Sequence, residues 1–313
     1  KLIGLERYTH VDLTALSRSY PGYALPTLGQ RFTQDSSEGE SILRSEYSFG
    51  ALGGDWQWAL EGAFNYVDVT SGLANLQPDG SFLDQPLPDA TARVEEKRAE
   101  TNVSYGRPLW TGWSLQSSLG VEYSELTQTG PAGKTRDFVR PKGFVSLNWK
   151  PDADLDLSFK AERRVGQLNF FDFIDSVNLQ DQNAQAGNPD LVPQQSWDLS
   201  LEANRKFGRW GALKVKLGHS QIEDLVDQIP IGATGTGVGN IASAEQWTTE
   251  ITSTLNFDPL GWKGAKWDFH TVLGDSKVED PLARQERLIS NSTVFQIDTM
   301  LRWDVPSTDW AIS

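Results

Sequence analysis

Residues 155–165 alternate. Leu155, Leu157, Phe159, Ala161 and Val165 fall on odd positions, and Asp156, Ser158, Lys160, Glu162 and Arg164 on even ones. Side chains alternate between the two faces of a strand, so this segment has one apolar face and one charged face. A period of two excludes a helix. The pattern returns in Trp197, Leu199, Leu201 and Ala203 and in Leu213, Val215 and Leu217. Trp56, Trp58, Leu60, Phe64 and Tyr66 share a face, as do Trp113, Leu115, Leu119, Val121 and Tyr123. Trp267, Phe269 and Leu273 form a further set, and Phe295, Ile297, Leu301 and Trp303 the last.

The connections alternate too. Gly53-Gly54-Asp55, Trp110-Thr111-Gly112, Asp152-Ala153-Asp154, Gly208-Arg209-Trp210, residues 261–265 and Pro306-Ser307-Thr308 are tight. Residues 73–93, 129–137, 170–195, 230–242 and 279–289 make the longer ones. About a dozen strands with tight turns at one end and long loops at the other predict an all-β, antiparallel transmembrane barrel. Trp56, Trp58, Trp110, Trp113, Trp149, Trp210, Trp262, Trp267, Trp303 and Trp310 lie at or beside the tight turns. An indole is well placed at a membrane interface, its ring in acyl chain and its N–H toward headgroups.

Composition does not oppose this. Mean hydropathy is −0.44, but only alternate residues of a barrel strand meet lipid. No run approaches the roughly 18 apolar residues of a spanning helix. The 313 residues carry a formal charge of −14, which argues against nucleic acid, and no Cys, which excludes disulfides and thiolate metal sites. His10, His219 and His270 are isolated, so no metal site is expected. His270 is expected on the lumen face of its strand and His219 on the opposite face. No nucleophile motif or paired-carboxylate signature stands out, so no catalytic residue is assigned. Residues 232–239 are Gly-rich but lack the Lys-Ser/Thr ending and following helix of a phosphate cradle, and read as loop.

Gly187-Asn188-Pro189-Asp190-Leu191-Val192-Pro193-Gln194-Gln195-Ser196-Trp197 ends the longest connection. Asn-Pro starts a turn, and Pro193 holds the chain extended before the ladder begins. Gly187, Asn188, Pro189, Leu191, Pro193 and Ser196, with the upstream run from Ala161 to Leu168 and Phe170 to Phe173, resemble the TonB-dependent outer-membrane receptors of Gram-negative bacteria. The resemblance covers roughly residues 94–303. Gln194 replaces the more frequent Glu.

It implies the bacterial outer membrane, short periplasmic turns, long extracellular loops and a fragment of a barrel of about 22 strands. On that reading residues 1–313 are a partial barrel, with a separate plug domain and the C-terminal strands outside this chain. Residues 1–40 are expected to be loop-rich: residues 13–43, with their Gly, Pro, Ser and acidic groups, read as loop, with one strand before them. The partners implied are the TonB energy-transducing complex (through the plug), an extracellular small-molecule ligand, outer-membrane lipid and other envelope proteins. A ferric siderophore is the family default, and relatives also take up cobalamin, haem, glycans and peptides. No cofactor is implied.

With strand 155–168 running outward, Lys160, Glu162 and Arg164 point into the lumen, and Phe170, Phe171, Asp172 and Phe173 follow at the loop base. A guanidinium beside aromatics suits a carboxylate- or catecholate-bearing ligand. The competing structural reading has the aromatics clasping the loop to the rim and Arg164 paired with a carboxylate. A passive porin or structural barrel predicts an unplugged channel without the Asn-Pro motif. An outer-membrane enzyme predicts a Ser/His/acid set at the rim, which the sequence lacks.

Overall fold

The computed structural model describes residues 1–20, 28–87, 91–130, 133–174, 176–178, 183–231 and 235–313. Residues 232–234 of the Gly-rich tract lie outside the described residues. The chain is a succession of antiparallel hairpins. β1 (Leu2–Ser19) pairs with β2 (Leu28–Ala51), and β2 with β3 (Gly54–Leu76). Short β4 (Phe82–Gln85) folds back on the end of β3, which pairs along its length with β5 (Thr91–Trp110). β6 (Trp113–Gln128), β7 (Lys134–Trp149) and β8 (Leu155–Val165) follow. Short β9 (Ser176–Asn178) and β10 (Asn183–Ala186) lie within the longest connection, and β10 runs parallel to β13. The wall resumes with β11 (Gln195–Lys206), paired directly to β8, then β12 (Gly211–Ile231), β13 (Gly235–Asn256) and β14 (Ala265–Glu279). Short β15 (Glu286–Arg287), β16 (Phe295–Asp304) and two-residue β17 (Ala311–Ile312) complete it. Among the described residues β1 pairs only with β2, so the sheet is an open wall rather than a closed ring.

Register sets one face against the other. Leu199 stands opposite Ala161 of β8 and His219 of β12, and Val145 of β7 opposite Ala161. The apolar positions therefore line up across strands, and Leu119, Val145, Phe159, Leu201, Leu217, Leu273 and Leu301 are all exposed on one side. Such a broad apolar surface is unstable in water and stable against hydrocarbon. At the tight-turn end the indoles pack into clusters. Trp113 lies 5.7 Å from Trp110 and 5.1 Å from Trp149, Trp56 lies 4.5 Å from Tyr105, and Trp262 is 6.2 Å from Trp303. Gly112 permits the turn beneath them: its φ is +79°, and a Cβ there would sit 2.4 Å from the Lys150 carbonyl. Leu119→Arg, at the middle of this face, is expected to cost about 2–4 kcal/mol in a bilayer. The cost should show as a lowered urea midpoint for refolding into vesicles. Lys97→Arg, beyond the apolar belt, should leave that midpoint unchanged.

Two expectations change. Residues 13–43 read as loop, yet β1 and β2 are continuous strands in register from Leu2↔Ser45 to Ser19↔Leu28. Likewise residues 230–242, taken as loop, belong mostly to the β12–β13 ladder, with Pro230 opposite Thr236. The reason is common to both. Beyond the lipid both faces of a hairpin meet water or polar neighbours, so the alternation that reveals a strand disappears while its hydrogen bonding continues. Asp224, with φ +54°, interrupts β12 so that Ile222 and Leu225 join one inner cluster with Ile241, Ala244 and Val278.

Candidate functional site: the inner wall at the long-connection end

The side opposite the apolar face carries the paired charges. Glu61, Glu100 and Glu122 stand directly opposite one another on β3, β5 and β6, with Arg44 and Arg140 next in line on β2 and β7. Cations inserted between them make the row tolerable: Glu61 accepts from Arg44 at 3.2 Å and Arg98 at 3.0 Å, and Lys142 donates to Glu122 at 2.8 Å and to Glu100 at 2.5 Å. On β14, His270 lies 3.3 Å from Glu250 and 3.4 Å from Asp298, which places it on the inner face as the alternation predicts. His219 is on the outer face, stacked 4.0 Å from Trp247.

Above this charged band the connection from β8 to β11 turns inward. The Gly166 amide donates to the Gln194 carbonyl at 2.7 Å and closes its base. Asn169 then caps a single 3-10 turn, Phe170–Phe173, its side-chain oxygen accepting from the Phe171 amide. Phe173, Ile174 and Leu191 enter a buried cluster with Val67, Val69, Val94, Leu126 and Phe138 of the wall. The inturned backbone finds wall partners, as buried carbonyls must. Gln128 Nε2 donates to the Phe173 carbonyl at 2.9 Å, and Arg136 donates to that of Leu191 at 3.0 Å.

The Asn-Pro motif is the clamp that holds this fold. Asn188 Oδ1 accepts from the Asp190 amide, and its Nδ2 donates to the Val238 carbonyl, both at 2.9 Å. A Cβ on Gly187 would lie 2.4 Å from the Phe173 carbonyl, so the close approach requires glycine. Pro189 and Pro193 bring no N–H to satisfy, while Leu191 between them is fully buried. Asn240 of β13 acts as a surrogate strand, donating to the Val192 carbonyl and accepting from the Val192 amide, both at 2.9 Å. Gln194 accepts from the Val226 amide. Ser196 donates to Asp198 at 3.1 Å.

The residues singled out from sequence separate into different roles. Arg164 is paired with Asp198, the carboxylate on the neighbouring strand. Phe173 is buried wall packing. Phe170 and Phe171 are half-buried and line a cavity of about 240 Å³ between the inturned segment and strands β1–β3. Arg7, Glu38 and Glu40 line its opposite side. Sequence reasoning missed Glu38 and Glu40 because they lie in the stretch taken as loop, and Arg7 because the segment before that stretch was not placed. The signal was the pairing Arg7↔Glu40, invisible until β1 and β2 are set in register. Across the same hairpin His10 stands 3.5 Å from Asp12 and 4.0 Å from Asp35, all exposed.

Two carboxylates on the inturned segment are shifted in opposite directions. Burial pushes Asp172 above the usual carboxylate range. Hydrogen bonding to Lys134 holds Asp190 below it. The docked segment therefore binds the Asp172 proton more tightly than the undocked chain does, and the Asp190 proton less tightly. As pH falls from neutral, docking should first strengthen as Asp172 is protonated, then weaken as Asp190 loses its pairing with Lys134. Proteolysis of the segment should pass through a minimum in the weakly acid range. Asp172→Asn should abolish the strengthening arm, and a steady rise in cleavage from pH 7 downward in the native protein would contradict the assignment.

No family model matches the chain, and no curated protein matches it. Solved structures do. The ferric yersiniabactin uptake receptor FyuA from Yersinia pestis aligns with 99% of this chain and 45% of its own length, at 12% identity and a TM-score of 0.65. The copper transporter OprC aligns with 97% of this chain and 46% of its own, at 10% identity and a TM-score of 0.68. The siderophore receptor PiuA from Acinetobacter baumannii aligns with 96% and 50%, at 9% identity and a TM-score of 0.65. The chain thus spans about half the length of the solved structures it matches. These likenesses show the fold: the wall of a large transmembrane β-barrel of the kind found in TonB-dependent outer-membrane receptors.

Proposed function

We propose that this wall belongs to an outer-membrane receptor that captures a scarce extracellular ligand at the long-connection end and passes it to the periplasm with energy from the TonB complex. The observation that carries the reading is the pair of motif-clamped stretches 166–174 and 187–194, which pack on the inner wall and leave a chemically furnished cavity behind them. A receptor gains a preorganised binding surface from such packed, motif-held stretches. No covalent chemistry is needed. The structures it resembles include a ferric yersiniabactin uptake receptor and a copper transporter.

The test uses the full-length protein in a host with and without a working TonB. Uptake of iron-55 presented as catecholate, hydroxamate and carboxylate siderophores is compared with uptake of cobalamin and haem. Import of one class that depends on both the receptor gene and TonB is the expected result. Import that persists without TonB, together with steady ohmic conductance in planar bilayers, would establish a porin instead.

A further inference from the structure

Most charges of the inner wall are spent on each other: Arg44 and Arg98 on Glu61, Lys142 on Glu100 and Glu122, Lys160 on Glu162, Lys214 on Glu202, Arg164 on Asp198. The cavity behind the inturned segment breaks that pattern. Arg7, Glu38 and Glu40 all project into it, and among the described residues none of the three has an ion-pair or hydrogen-bond partner. Arg7 and Glu40 are opposite one another in register, so proximity alone would let them pair. Instead they stand apart around the space, with Phe170 and Phe171 closing the other side. Unpaired charges facing a partly enclosed volume are poised to be satisfied by something that enters it.

We infer that the cavity receives a free diamino acid, a molecule with two ammonium centres and one carboxylate, such as lysine or ornithine. Two carboxylates and one guanidinium in the wall complement two cations and one anion. The carboxylate goes to Arg7, whose planar fork suits it. The ammonium groups go to Glu38 and Glu40, and the methylene stem lies along Phe170 and Phe171. At about 240 Å³ the cavity is below the usual range of roughly 300–1,000 Å³ for a drug-sized ligand, which suits a molecule as small as a free diamino acid. Sequence reading placed a guanidinium beside these aromatics and chose Arg164. The structure puts Arg7 there, with two acids, and the preferred ligand changes from a simple anion to a cationic zwitterion. This inference rests on the receptor reading above.

The experiment titrates the full-length receptor, purified in detergent, with free L-lysine, L-norleucine and cadaverine by calorimetry. Lysine should bind, and norleucine, lacking the side-chain ammonium, and cadaverine, lacking the carboxylate, should each bind about tenfold or more weakly. Glu38→Gln with Glu40→Gln should abolish the preference for lysine over norleucine, and Arg7→Gln the preference for lysine over cadaverine. Equal binding of all three, or no lysine binding to the native protein, overturns the inference. Where a variant does not fold, as judged by heat-modifiable gel mobility, the three-ligand comparison on the native protein decides alone. The TonB-dependent uptake assay separates the two levels. Uptake retained without lysine recognition removes only this inference, and absence of receptor-dependent uptake removes the receptor reading.

Discussion

Phe173→Ala is expected to undock the inturned segment by about 3–5 kcal/mol, the usual cost of emptying a fully buried aromatic site. Phe173 is 1% exposed and Leu191 0%, and both close one cluster with the wall. The expected signature is local. The Val192 amide, whose acceptor is Asn240 of the wall, is bonded only when the segment is docked and should lose hydrogen-exchange protection by several powers of ten. Amides of the β8–β11 ladder, such as Leu199, should keep theirs, because their partners lie within the wall. Asn240→Ala should reproduce the effect in weaker form, about 1–3 kcal/mol, since Val192 would be left with an unsatisfied amide and carbonyl. Equal loss of protection in the ladder would show that the segment is needed to hold β8 and β11 together, and would contradict a separately docked element.

How far this was legible in the sequence depends on where water is. Between the tight turns and the outer rim, one strand face meets hydrocarbon and the other meets charge, so the alternation through Leu155–Val165 or Trp197–Ala203 specifies strand, register and facing at once. Past the rim that contrast ends, which is why β1, β2 and the upper β12–β13 hairpin carried no periodic signal. The motif announced a turn and a strand entry, and the fold agrees. It did not announce that Leu191 is buried or that Asn188 and Asn240 tie the segment to β13, because those partners lie 48 and 50 residues away in sequence. For Arg164 the sequence reading set a free guanidinium against a paired one, and the decision required knowing that Asp198 is its neighbour across β8–β11. Arg7 could not be found at all without the register of the first hairpin.

Lys142→Met is the second substitution expected to act strongly, at about 3–5 kcal/mol, and its size comes from what it leaves behind. The Glu100 and Glu122 side chains are 13% and 9% exposed and stand directly opposite each other. Like charges facing across strands repel, and water is too scarce here to screen them. Among the described residues Lys142 is the one ammonium bonded to both. Urea unfolding of the refolded full-length protein should show the loss as a lower midpoint with an unchanged slope. If the loss comes from stranded carboxylates rather than from lost packing of the lysine stem, adding Glu100→Gln and Glu122→Gln to Lys142→Met should recover most of it, a non-additivity that adjacent residues permit. Lys97→Met provides the contrast. Lys97 pairs with Glu125 on the outer rim with side chains 66% and 37% exposed, and its removal should change stability by about 0–1 kcal/mol. Equal effects at the two lysines would mean that the inner face is as well hydrated as the rim, and that the row of carboxylates is held apart by solvent rather than by Lys142.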